Sequence, residues 1–152
     1  MDTRRYLLLP LLASIMAGSL RVAHADDFNP FTDSDLASQS STLVVLSEVS
    51  EIASGEPFHV LFKLTHPPNW HSYFINPGYV GASLTPNWNL PPGFEVERVG
   101  WPVPHIGSTA GKKTYGYEPT VSHLFRITPP PSLTEGATVK VTASPRWQIC
   151  DE

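Results

Sequence analysis

Proline constrains this chain more than any other residue. Sixteen prolines fall among its 152 residues, and all but Pro10 lie beyond position 25, spread along the remainder rather than gathered in one tract. A proline has no N–H to give to a ladder or a helical turn and holds φ near one value. It therefore breaks helix interiors and is kept out of central strands. A helical bundle is disfavoured on this ground, and the aromatic residues that accompany the prolines throughout argue against a disordered chain. Short strands joined by many turns are the expected solution.

The runs between the prolines agree. Phe58, Val60, Phe62 and Leu64 alternate with His59, Leu61, Lys63 and Thr65. A strand sends alternate side chains to opposite faces, so the first four are expected to face a core. Thr42 to Val49 is rich in β-branched and aliphatic residues, and Gly55-Glu56-Pro57 supplies the turn between these two runs. Further strands are expected over Trp70 to Ile75, Ala82 to Trp88, Phe94 to Val99, Thr120 to Ile127 and Ala137 to Ala143. Pro91-Pro92-Gly93, Trp101-Pro102-Val103-Pro104 and Pro129-Pro130-Pro131 mark turns or edges. About seven short strands at this spacing, without a helical period, predict an all-β, antiparallel β-sandwich, with a small β-barrel as the alternative. There is no internal repeat.

The first residues read differently. Arg4 and Arg5 precede an apolar stretch from Tyr6 to Leu20, and Ala23-His24-Ala25 follows with small residues at alternate positions. This is the pattern of a secretory signal peptide cut after Ala25. About 15 apolar residues interrupted by Pro10 fall short of the roughly 20 needed to span a bilayer, and no second run of that length follows, so no membrane span is expected. Residues 26–41 are polar, acidic and aperiodic, and are expected to form a flexible acidic leader. The domain proper is expected over 42–152, in an exported product.

Beyond position 25 the chain keeps seven basic and thirteen acidic residues, a formal net charge of −6, which disfavours nucleic acid as a partner. Both methionines, Met1 and Met16, precede the cleavage point, so the processed chain has no thioether ligand for copper(I). Five histidines follow it, His59, His66, His71, His105 and His123, without a tight ligand spacing, so no metal site is expected. Glu95 and Glu97 share one face of a strand, where solvent exposure accounts for them. No phosphate-binding glycine loop and no nucleophile elbow is present. The four tryptophans, Trp70, Trp88, Trp101 and Trp147, are scattered over as many segments, as expected of core volume rather than a sugar-stacking platform.

Cys150 is the only cysteine, and an unpaired thiol is unusual in an exported chain. Alone it reads first as a small buried residue closing a strand, with Trp147 and Ile149 facing one way and Gln148 and Cys150 the other. The segments before it add context. Trp70-His71-Ser72-Tyr73-Phe74-Ile75-Asn76-Pro77-Gly78, Gly81, Trp88, Leu90-Pro91-Pro92-Gly93-Phe94, Trp101-Pro102, Tyr115-Gly116-Tyr117-Glu118 and Trp147-Gln148-Ile149-Cys150 follow one another in an order that resembles the N-terminal periplasmic domain of the DsbD family of thiol:disulfide interchange proteins, including its copper-tolerance-associated relatives. The match is strong over about residues 70–150. No single piece is diagnostic, and their ordered sum carries the likeness.

The resemblance implies an immunoglobulin-like sandwich with two cysteines near its end. These pass reducing equivalents from a membrane-embedded electron donor to periplasmic thioredoxin-like proteins, without a cofactor. Cys150 looks like the first of that pair, the redox thiol, and its partner cysteine is absent, since only Asp151 and Glu152 follow. The expectation is a chain truncated after the first cysteine. Exchange needs one thiolate to attack a disulfide and a second thiol to resolve the product, so Cys150 by itself is half of such a site. The family covers its cysteines with a small aromatic loop, and Tyr115 and Tyr117 stand about where that loop belongs; packing against a sheet edge is an equal use for them. Asp151 and Glu152 beside the sulfur are expected to disfavour the thiolate if they approach it. A non-enzymatic binding or adaptor module with an inert, buried cysteine is the alternative function.

Overall fold

The computed structural model describes residues 6–7 and 40–151. The expected signal peptide and leader therefore lie almost wholly outside the described residues, as does Glu152. In chain order the strands are β1 (Tyr6–Leu7), β2 (Thr42–Ser47), β3 (Glu51–Ile52), β4 (Phe58–Thr65), β5 (Trp70–Gly78), β6 (Trp88–Asn89), β7 (Glu95–Arg98), β8 (His105–Thr109), β9 (Lys112–Tyr117), β10 (Thr120–Thr128), β11 (Thr142–Ala143) and β12 (Ile149–Asp151). Among the described residues there is no helix.

Two four-stranded antiparallel sheets form the molecule, one in the order β2-β4-β10-β7 and the other in the order β12-β5-β9-β8. Two short pairs, β1 with β3 and β11 with β6, complete it. This is the immunoglobulin-like sandwich expected, and each sheet keeps its own open edges rather than closing into a barrel.

The core sits between the two sheets. Phe58, Val60, Phe62 and Leu64 of β4 are buried, as their alternation requires, and pair with a matching set, Val121, Phe125 and Ile127, on β10. Phe62 lies 5.2 Å from both Trp88 and Phe125 between ring centroids. Trp147 packs against the same cluster. Contact between the sheets is direct: Tyr117 of β9 meets His123 of β10 edge to face, with centroids 5.6 Å apart.

Three segments depart from expectation. Ala82 to Trp88 makes only single bridges, Ser83 to Tyr73 and Thr85 to Arg146, before the two-residue β6; Pro86 interrupts it, and Asn87 turns through a positive φ of 46°. Of Ala137 to Ala143 only the last two residues form a strand, and Val139 makes a single bridge. Conversely β8 and β9 form a hairpin that the sequence conceals. Its two-residue turn, Ala110-Gly111, has φ of 52° and 72°, the primed geometry usually signalled by Asn-Gly or Asp-Gly.

Candidate functional site

Cys150 lies on the edge strand β12, whose one partner is β5. The register pairs Ile149 with Ser72, Cys150 with His71 and Asp151 with Trp70. On the other side of β5, Ser72 pairs with Tyr117 and Tyr73 with Gly116 of β9. Directly opposed residues point to the same side of a sheet. Ile149, Ser72 and Tyr117 therefore face the core, and Cys150, His71 and Tyr73 share the other face. That second face is covered in turn, so His71, Ser72 and Tyr73 are all buried.

Tyr73 fills the ground next to the cysteine. Its ring packs against Gly81, where a Cβ would come within 2.2 Å of Cδ1. The Gly81 segment is held on one side by the Ser83 bridge to Tyr73 and on the other by Gln148 N–H donating to the Ala82 carbonyl at 3.2 Å. The chain that leads into Cys150 and the chain that covers Tyr73 are thus tied together. The Tyr73 hydroxyl is buried beside Cys150 and Thr109 and completes a hydrogen bond with neither. Burial pushes this phenol up to about 12, the neighbouring Cys150 sulfur adds to the rise, and Thr109 partly offsets it. It stays protonated throughout the working pH range, and a protonated phenol beside a sulfur can donate to it.

His71 meets Tyr73 edge to face, with ring centroids 4.9 Å apart. It is 6 % exposed, and neither ring nitrogen has a hydrogen-bond partner. Beyond it lies a small cleft of about 10 Å³ whose walls include His71, His105, Thr114 and Glu118 and whose floor includes Gly107 and Gly116. Gly116 makes the room: a Cβ there would meet the Ser72 carbonyl oxygen at 2.3 Å and His71 Cδ2 at 3.4 Å.

Three comparisons with known proteins bear on this arrangement. Residues 41–152 match the family described as thiol:disulfide interchange protein DsbD, N-terminal. The chain belongs to the DsbD N-terminal family. Among solved structures it is similar to the N-terminal periplasmic domain of ScsB from Proteus mirabilis, with a TM-score of 0.48 and 17 % identity. The likeness covers 73 % of this chain and 46 % of that one, so the chain spans under half the length of that structure. No curated protein matches.

Within this DsbD N-terminal domain the residues expected to form the site are only partly brought together. Cys150 is half-buried rather than sealed in the core. Tyr117 is buried on the core face, where its hydroxyl donates to the Pro102 carbonyl at 2.9 Å, and burial pushes its phenol up to about 12. Tyr115 pairs with Ile106 and alternates onto the same face as Tyr117. The register thus sets both tyrosines on the face of β9 opposite to that of Cys150. Beside the sulfur stand Tyr73 and Asp151, whose Oδ1 accepts a long contact from the thiol at 3.9 Å, and His71 is opposed to Cys150 across the ladder. Glu152 lies outside the described residues. Nothing local in the sequence marks His71 and Tyr73 as neighbours of Cys150; the cross-strand register does.

A second polar cluster, of half-buried Arg98 with buried His123, lies between the sheets. Arg98 donates from Nη1 to His123 Nδ1 at 2.9 Å and from Nη2 to the Leu84 carbonyl at 2.9 Å, and its guanidinium lies 3.8 Å from the Trp101 ring centroid. It is on the core side, away from the sulfur, and holds the sandwich together rather than serving the thiol.

Proposed function

We propose that this domain is a periplasmic thiol:disulfide exchange module that passes reducing equivalents to thioredoxin-like partners, with Cys150 as its redox thiol. The observation that carries the reading is the placement of a half-buried thiol on an edge strand, beside a buried phenol that can donate to it, in a member of the DsbD N-terminal family. Export by a signal peptide cut after Ala25, from the pattern of residues 4–25, sets the thiol where disulfides form. A membrane-embedded electron donor upstream and thioredoxin-like acceptors downstream follow from the family.

The chemistry needs no cofactor. The Cys150 thiolate attacks one sulfur of a partner's disulfide; a new S–S bond forms, the partner's own S–S bond breaks, and its other sulfur departs as a thiolate that takes up a proton. Resolving the mixed disulfide requires a second thiol from outside this sequence, in a later segment of a longer chain or in another molecule. Phenol donation from Tyr73 stabilises the attacking thiolate, and the Asp151 carboxylate opposes it.

Alkylation of the folded 152-residue chain tests this. Prompt labelling of Cys150 by iodoacetamide, with capture of a mixed disulfide by a thioredoxin-like protein lacking its resolving cysteine, is expected. A thiol that labels only after denaturation would favour the binding-module reading, with the cysteine inert.

A further inference from the structure

We propose that His71 accepts the proton of Cys150, generating the nucleophilic thiolate, and that the cleft beyond His71 conducts that proton to solvent past His105 and Glu118. The proposal rests on the exchange reading above and deepens it.

Three observations on one face of one sheet carry it. Cys150 and His71 are directly opposed across the β12–β5 ladder, which sets their Cβ atoms roughly 4.5–5.5 Å apart. The proposal requires a ring nitrogen to reach the sulfur from there, directly or through one water, and resting enzymes often hold such contacts long. Second, the imidazole is buried with both nitrogens unpartnered. A buried polar ring without partners is a cost that folded proteins rarely carry without a use. Third, the ring opens on a cleft that runs across the sheet. His105 pairs with Gly116, and Gly107 with Thr114, so two strands meet beneath it with glycine where side chains would block the way. The cleft's volume of about 10 Å³ is about what one water needs, and its far wall includes the exposed His105 and Glu118.

The step balances. The Cys150 thiol and neutral His71 become thiolate and imidazolium; the thiolate opens the partner's disulfide, and the departing thiolate recovers a proton from the imidazolium or from solvent. The charged and titratable groups around the ring are few: Glu118 lines the cleft with it, and Cys150 is opposed to it with Asp151 next in sequence. His105 is exposed and solvated. His66 is the other nearby imidazole, and burial, with His71 second, holds it down to about 4, so it is neutral when His71 becomes charged. Tyr73 stays a neutral donor.

Rates of iodoacetamide labelling of Cys150 in the folded chain, from pH 5 to 9, give the test. His71→Gln keeps most of the side-chain volume but takes no proton, and is expected to slow labelling at neutral pH by about tenfold, because rate follows thiolate fraction. His71→Ala is expected to be similarly slow and to recover on addition of imidazole, a response that a merely structural histidine would not give. Should either variant fail to fold, nitrogen NMR of the His71 ring in the wild-type chain serves instead: blocking Cys150 with a methylthio group is expected to change the ring's titration, because paired groups titrate together. Labelling that proceeds in the wild type and is unaltered in folded His71→Gln, or a ring titration indifferent to the block, overturns the proposal and leaves the exchange reading standing. Absence of labelling in the folded wild type overturns both.

Discussion

The bare α-carbon of Gly81 lies against the ring of Tyr73, at a backbone φ of 125° and with a hypothetical Cβ 2.2 Å from Cδ1. The segment that covers Tyr73 is therefore fitted to it without slack. Gly81→Ala combines a steric clash against a buried ring with a backbone conformation that L side chains avoid. It is expected to cost about 3 kcal/mol or more in urea denaturation, and to speed labelling of Cys150 by loosening the Ala82–Gln148 link. A change within about 0.5 kcal/mol, the range of ordinary surface substitutions, would mean that the ring yields easily.

Tyr73→Phe separates packing from chemistry at the same place. The ring contacts with Gly81 and His71 remain, and the hydroxyl that is lost has no completed hydrogen bond. Removing an unsatisfied buried polar group is neutral or mildly stabilising, by up to about 1 kcal/mol. Labelling of Cys150 is expected to slow about threefold to tenfold at neutral pH, because a thiolate that loses its donor is less populated. Equal labelling of the two proteins would show that the phenol does not reach the sulfur.

How far the sequence discloses this arrangement depends on the range of the interactions. β4 is readable from its own alternation because one face is packed and the other is not. The β8–β9 hairpin is hidden because Ala110 occupies a left-handed position that Asn or Gly would have advertised. Ala82 to Trp88 looks like a strand and is mostly a covering segment, since its use is to pack on Tyr73 and not to extend a ladder. Cys150 draws attention as the only cysteine, and the resemblance to the family, rather than its own chemistry, marks it as the candidate thiol. Its neighbours are not so marked, because the opposition of Cys150 to His71 joins positions 79 residues apart, and a slip of one residue would have turned the thiol toward the core. Tyr115 and Tyr117 attract attention through the family pattern, yet the register assigns them to the other face.

Acid should unfold this domain through its buried histidines. Burial first, and then His71, lowers His66 to about 4; burial, then Arg98 and His66, lowers His123 to about 4. In the unfolded chain both return toward about 6.5. Between these values the unfolded state binds more protons than the folded one, so stability is full above about pH 6.5 and falls as pH drops toward 4. Melting temperatures measured from pH 7.5 to 4 are expected to decline through that window, and to decline less in His123→Gln. A flat profile over the window would show that neither histidine is kept neutral by the fold.

Arg98 is the group on which the core side of the site turns, and a lysine cannot take its place. The guanidinium donates in two directions, to His123 Nδ1 and to the Leu84 carbonyl, while lying over Trp101 and within 4.5 Å of the Phe125 ring centroid. A planar fork can do both at once; an ammonium on a flexible stem cannot stack and would leave one acceptor unpaired in a buried place. Arg98→Lys is therefore expected to lose about 2 kcal/mol. Arg98→Met keeps the apolar stem over the rings, removes the charge and strands both acceptors, for a loss of similar size. The two variants differ in a second measurement. Because Arg98 is one of the causes that keep His123 neutral, removing its charge in Arg98→Met should raise the His123 titration toward its ordinary value, whereas Arg98→Lys should leave it low. An NMR titration of the His123 ring that fails to distinguish them would assign the depression of His123 to burial and His66 and reduce Arg98 to a packing and hydrogen-bonding role.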